Sequence, residues 1–200
     1  MMWIPSSLKK LVENLRKLPG IGERSAYRIA YFLIKYRDVL NDIVDSLKEV
    51  DENVNLCKIC HGFAEGKDVC PICEDERRDA GILCIVEKPE DVFIVESAGL
   101  HGWKYHILGG LLSPVKGVTP DKLNIFDLRD RIKKENFKEI VIALNPNIEA
   151  EATANYLIDL LEDMNVVISK IAIGLPQGAD IALLDPYTIK ESIKGRRRVK

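Results

Sequence analysis

No stretch of this 200-residue chain approaches the roughly eighteen consecutive apolar residues that a membrane-spanning helix needs. Its start, Met1-Met2-Trp3-Ile4-Pro5, lacks the apolar core of a secretory signal, so a cytoplasmic location without membrane attachment is expected. The pattern G-x4-G-K-[ST] is absent, which argues against a phosphate-loop ATPase. Only five cysteines are present, and a reducing compartment makes disulfides among them a poor reading. A marked excess of either charge is also missing: the net charge is −2, which on its face speaks against a polyanionic partner.

The charge that is present is unevenly placed. Residues 1–37 carry eight Lys or Arg against Glu13 and Glu23, and residues 190–200 carry six against Glu191. The intervening chain is therefore strongly acidic. A basic N-terminal unit beside an acidic body can set a local footprint on nucleic acid and leave the body for a basic protein partner. The run Arg196-Arg197-Arg198 also reads simply as a solvated tail. An apolar share of 46% is enough for a core, and the length fits one or two ordinary domains or several small ones.

The stretch Leu18-Pro19-Gly20-Ile21-Gly22-Glu23-Arg24-Ser25-Ala26 organises the N-terminal part. Leu8, Leu11, Val12 and Leu15 recur at helical spacing before it, with Ser6 or Ser7 as N-cap, and Ala26, Ile29, Ala30, Leu33 and Ile34 after it. Pro19 ends the first helix and the glycines permit a tight turn. Unpaired N–H groups at the start of the second helix form an anion site, with Arg24 and Arg28 four apart on one face. The segment resembles the helix–hairpin–helix DNA-binding motif, in which phosphates are gripped without reading bases. After a break at Arg37-Asp38, Val39, Leu40, Ile43, Val44 and Leu47 predict a third helix ending near Asp51, the three sharing one apolar face. Tyr27, Tyr31, Phe32 and Tyr36 read either as stacking platforms for bases or as core and dimer contacts.

Cys57-Lys-Ile-Cys60 and Cys70-Pro-Ile-Cys73 are separated by nine residues. Two C-x2-C knuckles bring four thiolates into a tetrahedron, the arrangement of a closed structural zinc site. The loop between them is too small and polar to fold unaided, so metal would supply its folding energy. His61 is a competing ligand or, more simply, a bystander. Cys84, inside an apolar run, reads as a small buried hydrophobe.

From residue 80 the pattern becomes strand–helix alternation. Strands are predicted at Ile82–Val86, Trp103–Leu108, Glu139–Leu144 and Val166–Ile168, with helices at Pro89–Ala98, Asp121–Lys134 and Glu149–Met164. Apolar strands of this kind imply a parallel sheet covered on both faces. Glu87 follows the first strand, and Asn145-Pro146-Asn147 follows the third. This resembles the Toprim domain, where a glutamate after strand one acts in acid–base chemistry and an Asp-x-Asp pair holds magnesium. Here the pair is replaced by two neutral amides, weaker ligands for that ion. Glu149 and Glu151 could rescue a metal site but more simply open a helix. Ile181-Ala-Leu-Leu-Asp185 looks like a Walker B strand, and Pro186 starts a last helix ending at Gly195.

The order of these parts over nearly the full chain resembles the bacterial recombination mediator family RecR. Particular matches are Leu18–Gly22, Cys57–Cys73, Tyr105-His-Ile-Leu-Gly-Gly110, Leu112-Ser-Pro114 and Asn145-Pro-x-x-Glu-x-Glu-Ala-Thr153, with Ala150 where the family usually has glycine. The expected fold is an α/β multi-module chain. Residues 1–53 form a helix–hairpin–helix unit for DNA binding and dimerisation, and 54–79 a four-cysteine zinc finger. Residues 80–175 form a Toprim domain, and 176–200 a C-terminal assembly segment with a Walker-B-like run. The resemblance implies a non-enzymatic protein that works with RecO and RecF to load RecA on gapped or single-stranded DNA. It also implies sequence-independent contact with single- and double-stranded DNA, a homodimer or ring-like tetramer, and association with the nucleoid during repair. Lys17, Gly20, Gly22, Arg24 and Arg28 would contact DNA, and Glu87, Glu149 and Glu151 would face RecO. Cys57, Cys60, Cys70 and Cys73 would hold structural zinc, and no residue is assigned to catalysis. The alternative is a Toprim-type magnesium-dependent nuclease using Glu87.

Overall fold

A computed structural model describes residues 4–78 and 81–198. Met1–Trp3 and the handover at residues 79–80 lie outside the described residues, as do residues 199–200. The chain divides between Val54 and Asn55 into two compact units.

The first unit is helical. It contains α1 (Ser6–Leu15), α2 (Glu23–Lys35) and α3 (Arg37–Asn53). Leu8 and Val12 of α1 close on Ala26 and Ala30 of α2, with Ile21 and Tyr27 packed beside them. The small alanines let the two helices approach closely. Three expectations need correction here. Ser6 and Ser7 lie inside α1, whose N-cap is Pro5, and no side chain caps it. The break before α3 falls at Tyr36 rather than Arg37-Asp38. The three helices do not share one apolar core, because α3 buries no residue and Ile43, Val44, Leu47 and Val50 all stand exposed. At positions i, i+1, i+4 and i+7 these four form a stripe that no described residue of this unit covers. Tyr31, Phe32 and Tyr36 are also exposed, and Phe32 and Tyr36 stack at 4.6 Å. They are not core.

The division falls within β1 (Val54–Leu56), which pairs with β2 (Phe63–Glu65), and the second unit goes on with the short helix α4 (Pro71–Glu74). A four-stranded sheet follows, built from β3 (Ile82–Val86), β4 (Lys104–Ile107), β5 (Glu139–Ala143) and β6 (Val167–Lys170). The spatial order is β4-β3-β5-β6 and every pairing is parallel. Helices α5 (Pro89–Ser97), α6 (Leu128–Glu135) and α7 (Ile148–Leu161) connect the strands.

Alternation along the strands divides the apolar residues between two faces. Leu83, Ile85, Ile140 and Ile142 pack on Leu128 and Ile132 of α6 and on Ala150, Ala154, Leu157 and Leu161 of α7. Cys84, Val86, Tyr105 and Ile107 lie in a second cluster with Val92 of α5 and with Cys57, Cys60 and Cys70. The cysteine knuckles are thus part of the layer that covers the sheet, and Ala150 packs its methyl into the first cluster.

Two further expectations are corrected. Helix α6 starts at Leu128, not Asp121. A 3-10 turn at Pro120–Lys122 is followed by a further run of turns, because Leu123 and Ile125 are buried in the core and Asn124 is bound on three sides. Its N–H donates to Leu108 O, its side-chain amide donates to Ile107 O, and its carbonyl meets His106 Nε2. The Walker-B-like run is not a strand. Ile181–Leu183 is a 3-10 turn capped by Asp180, with Leu183 86% exposed. Among the described residues no strand pairs with it to fix an extended backbone. The last helix among the described residues is α8 (Pro186–Lys194), capped by the Asp185 side chain.

Candidate nucleic-acid interface and metal centre

The hairpin between α1 and α2 is made by backbone geometry. Leu18 N–H bonds to Leu15 O, and Ile21 N–H bonds to Leu18 O across Gly20, which sits at φ +75°. Gly22 differs. Its φ of −79° and ψ of 172° suit any residue, and a Cβ added there would meet open space. Nothing inside the unit asks for glycine at that position. Its missing side chain leaves the backbone open to something approaching from outside.

Gly22 is the N-cap of α2, and no side chain caps the helix. The first amides of α2 therefore face outward with the positive end of the helix dipole behind them. Arg24 and Arg28 are both exposed on this helix, and among the described residues neither makes a hydrogen bond or ion pair. Lys17 Nζ bonds Asn14 Oδ1 at 3.0 Å. The first unit thus gathers Lys17, Gly20, Gly22, Arg24 and Arg28 around one turn, an arrangement suited to phosphate oxygens.

The metal centre lies in the second unit. The sulfurs of Cys57, Cys60, Cys70 and Cys73 all lie within 4.8 Å of one another. Cys57 Sγ accepts N–H bonds from Ile59 (3.4 Å) and Cys70 (3.3 Å), and Cys60 Sγ accepts one from Gly62 (3.4 Å). Such bonds favour thiolates. Four thiols this close cannot all ionise unaided: the bond between Cys60 and Cys70 holds the Cys70 thiol below its ordinary range and pushes that of Cys60 above it. A soft dication resolves the conflict, and the donor set is that of a closed four-thiolate zinc site. His61 takes no part. It turns away at φ +62°, and its Nε2 meets Asp127 Oδ2 at 2.8 Å. Cys84 is fully buried, and burial pushes its thiol up to about 12.

The comparisons with known proteins agree with this layout. Residues 8–49 match the family model for the RecR helix-hairpin-helix, 54–75 that for the RecR four-cysteine zinc finger domain, and 81–172 that for the Toprim domain. The recombination protein RecR of Syntrophobacter fumaroxidans is 41% identical over 194 residues, covering 96% of both chains. That of Desulfatibacillum aliphaticivorans is 42% identical over 199 residues, covering 98% of both. The chain belongs to the RecR family of recombination proteins. Its RecR-type zinc finger, with the four clustered cysteines, carries a structural zinc site. Among the described residues no helix is long and apolar enough to cross a membrane.

In this RecR-family chain the Toprim carboxylates are dispersed among other duties. Glu87, at the end of β3, lies 3.5 Å from Lys88 Nζ, and its carbonyl accepts the Gly109 N–H. Glu149 accepts from Ser113 Oγ (2.8 Å) and pairs with Lys116 (3.0 Å); the Ser113 bond, then Lys116, hold its carboxyl below the usual range. Glu151 pairs with Lys170 at 2.7 Å. Asn147 caps α7, its side-chain oxygen accepting the Ala150 N–H at 2.8 Å. That lone pair serves the helix. With Asn145 also neutral, the Toprim magnesium position lacks its carboxylate pair.

The sequence did not reveal how the zinc module is fastened to the sheet. Ile107 N–H donates to Cys60 O at 2.8 Å, and Arg78 pairs with Glu96 at 2.7 Å, where Tyr105 Oη also bonds at 2.6 Å. The Arg78 bond holds the Glu96 carboxyl down at about 2. No spacing rule links residues so far apart in the chain.

Proposed function

We propose that this protein is a non-enzymatic DNA-binding mediator of recombinational repair, acting with RecO and RecF to load RecA on gapped or single-stranded DNA. The observation that carries this reading is the uncapped start of α2 behind Gly20-Ile21-Gly22, with Arg24 and Arg28 exposed and unpaired on one face. Lys17 extends the same patch. Such a surface grips phosphate oxygens and is indifferent to sequence. Family membership supports the recombination role, and the missing Asp-x-Asp pair supports a non-catalytic one.

On this reading, residues 1–53 serve DNA binding and dimerisation, 54–79 the zinc finger, 80–175 the Toprim scaffold and 176–200 assembly. The bare stripe Ile43, Val44, Leu47 and Val50 fits a second copy, giving a homodimer or, with the C-terminal segment, a ring-like tetramer. A ring multiplies weak phosphate contacts, so avidity stands in for base specificity. Glu87, Glu149 and Glu151, in the chain that follows β3 and β5, would face RecO. The work would be done in the cytoplasm, at the nucleoid.

The test is fluorescence anisotropy with labelled single- and double-stranded oligonucleotides at two salt concentrations. Changing Arg24→Ala together with Arg28→Ala is expected to weaken binding at least tenfold and flatten its salt dependence. Unchanged affinity would remove the basis for the reading. The nuclease alternative is tested on supercoiled plasmid with magnesium or manganese. No nicking is expected; nicking that disappears with Glu87→Gln would favour the alternative.

A further inference from the structure

The four zinc-binding cysteines are unequal. Cys57, Cys60 and Cys70 are 0–4% exposed, whereas Cys73 is only partly buried. Cys73 lines a cleft of about 390 Å³ between the zinc module and α6. Lys58, Lys104 and Lys134 line the same cleft together with Asp127, Asp130 and Glu135, and Lys104 pairs with Glu135 at 3.0 Å. The sulfurs of Cys57 and Cys60 receive backbone N–H bonds; among the described residues that of Cys73 receives none. N–H donors withdraw electron density from a thiolate and blunt it as a nucleophile. Cys73 is therefore the ligand that is both reachable and least blunted.

Cys70 stands three residues away on the same turn, with Cys73 N–H bonded to Cys70 O at 3.0 Å and the two sulfurs within 4.8 Å. A small local rotation brings such a pair to disulfide geometry. We propose that Cys73 is an oxidation site for peroxides, and that its disulfide with Cys70 releases the structural zinc. The Cys73 sulfur attacks one peroxide oxygen, the O–O bond breaks, and the departing hydroxide takes a proton to become water. Cys73 is then a sulfenic acid, oxidised by two electrons. The Cys70 thiolate attacks that sulfur, the S–S bond forms, the S–O bond breaks, and a second hydroxide leaves as water with a second proton. Two thiolates have lost two electrons and the peroxide has gained them. The site keeps only Cys57 and Cys60, too few to retain the ion.

The consequence follows from the fold. Cys57, Cys60 and Cys70 share the buried cluster with Cys84, Val86, Tyr105 and Ile107. Losing the zinc loosens the module that covers this face of the sheet, and the buried Cys84 thiol becomes reachable.

The test uses the full zinc-loaded chain treated with hydrogen peroxide, with zinc release followed by a chromogenic chelator. Sulfenic acid is trapped with dimedone, and thiols are mapped by alkylation and mass spectrometry. The expected result is dimedone first on Cys73, then a Cys70–Cys73 disulfide appearing in step with one zinc released per chain, with Cys84 becoming alkylatable. Dithiothreitol plus zinc restores the original state. Dimedone appearing first on Cys57, Cys60 or Cys70 would overturn the proposal. So would retention of zinc under peroxide that fully oxidises free glutathione. Cys73→His, which keeps a donor set of three thiolates and one imidazole, is expected to slow release at least tenfold. The trapping order in the unaltered chain decides the matter even if that variant folds poorly.

Discussion

The backbone N–H of Ile107 donates to the carbonyl oxygen of Cys60 at 2.8 Å. A residue of the edge strand β4 thus holds the first cysteine knuckle, and the metal-bound module is built into the sheet rather than tethered to it. Removing zinc with a chelator under reducing conditions is therefore expected to lower the melting temperature of the second unit as well as melt the finger. The metal contributes up to roughly 10–16 kcal/mol in isolated zinc fingers, so the loss should be large. Differential scanning calorimetry with and without chelator checks it; an unchanged sheet transition would mean that the module only rides on the surface.

The two hairpin glycines should separate stability from binding. Gly20→Ala places a Cβ at φ +75° and is expected to cost about 1–2 kcal/mol of stability. Gly22→Ala meets no neighbour and an ordinary backbone, so folding should be unaffected. The same methyl stands where a phosphate would approach, and affinity for an oligonucleotide should fall severalfold. Denaturant titration and anisotropy on the two variants give the comparison.

Acid should weaken the second unit in two stages. Burial, with the Arg131 charge beside it, pushes His106 down to about 4, so the folded chain keeps it neutral. Its contribution is complete above about 6.5, the ordinary value, and is lost as the pH falls toward 4. Glu96, held at about 2 chiefly by Arg78, adds stability above about 4.5 that is lost as the pH falls toward 2. Each is worth at most about 3 kcal/mol. Urea midpoints measured from pH 8 to pH 3 should decline from near pH 6.5. Glu96→Gln should be less stable at neutral pH and lose less below pH 4.5.

The apolar stripe on α3 predicts concentration-dependent association. Leu47→Asp with Val50→Asp should reduce the mass seen by light scattering while leaving helix content intact, because neither side chain is buried within its own unit. Equal mass before and after substitution would place the self-contact elsewhere.

Asn145→Asp with Asn147→Asp restores the acidic pair without removing the α7 cap, since Asp caps as well as Asn. The double variant is expected to gain magnesium binding by calorimetry. The unaltered chain is expected to show little.

Local chemistry was readable from residues in a row. The hairpin is written in Pro19, Gly20 and Gly22, the metal site in two C-x2-C pairs, and the strands in runs such as Ile82–Val86, because these depend on neighbours a few positions away. The sequence also carried the neutral Asn145 and Asn147, and with them the argument against magnesium. What failed were segments whose conformation is imposed from a distance. Asp121–Asp127 is not α-helical because Leu123, Asn124 and Ile125 are claimed by the core and by the turn after β4. Ile181–Leu183 is not a strand because no sheet edge among the described residues receives it. Periodicity showed that α3 has an apolar side but could not say that no described residue of its own unit would cover it. Only the tertiary structure decided that Cys57, Cys60 and Cys70 close one face of the sheet and that Cys73 alone meets a cleft, since burial is a property of packed surfaces and spacing along the chain does not encode it.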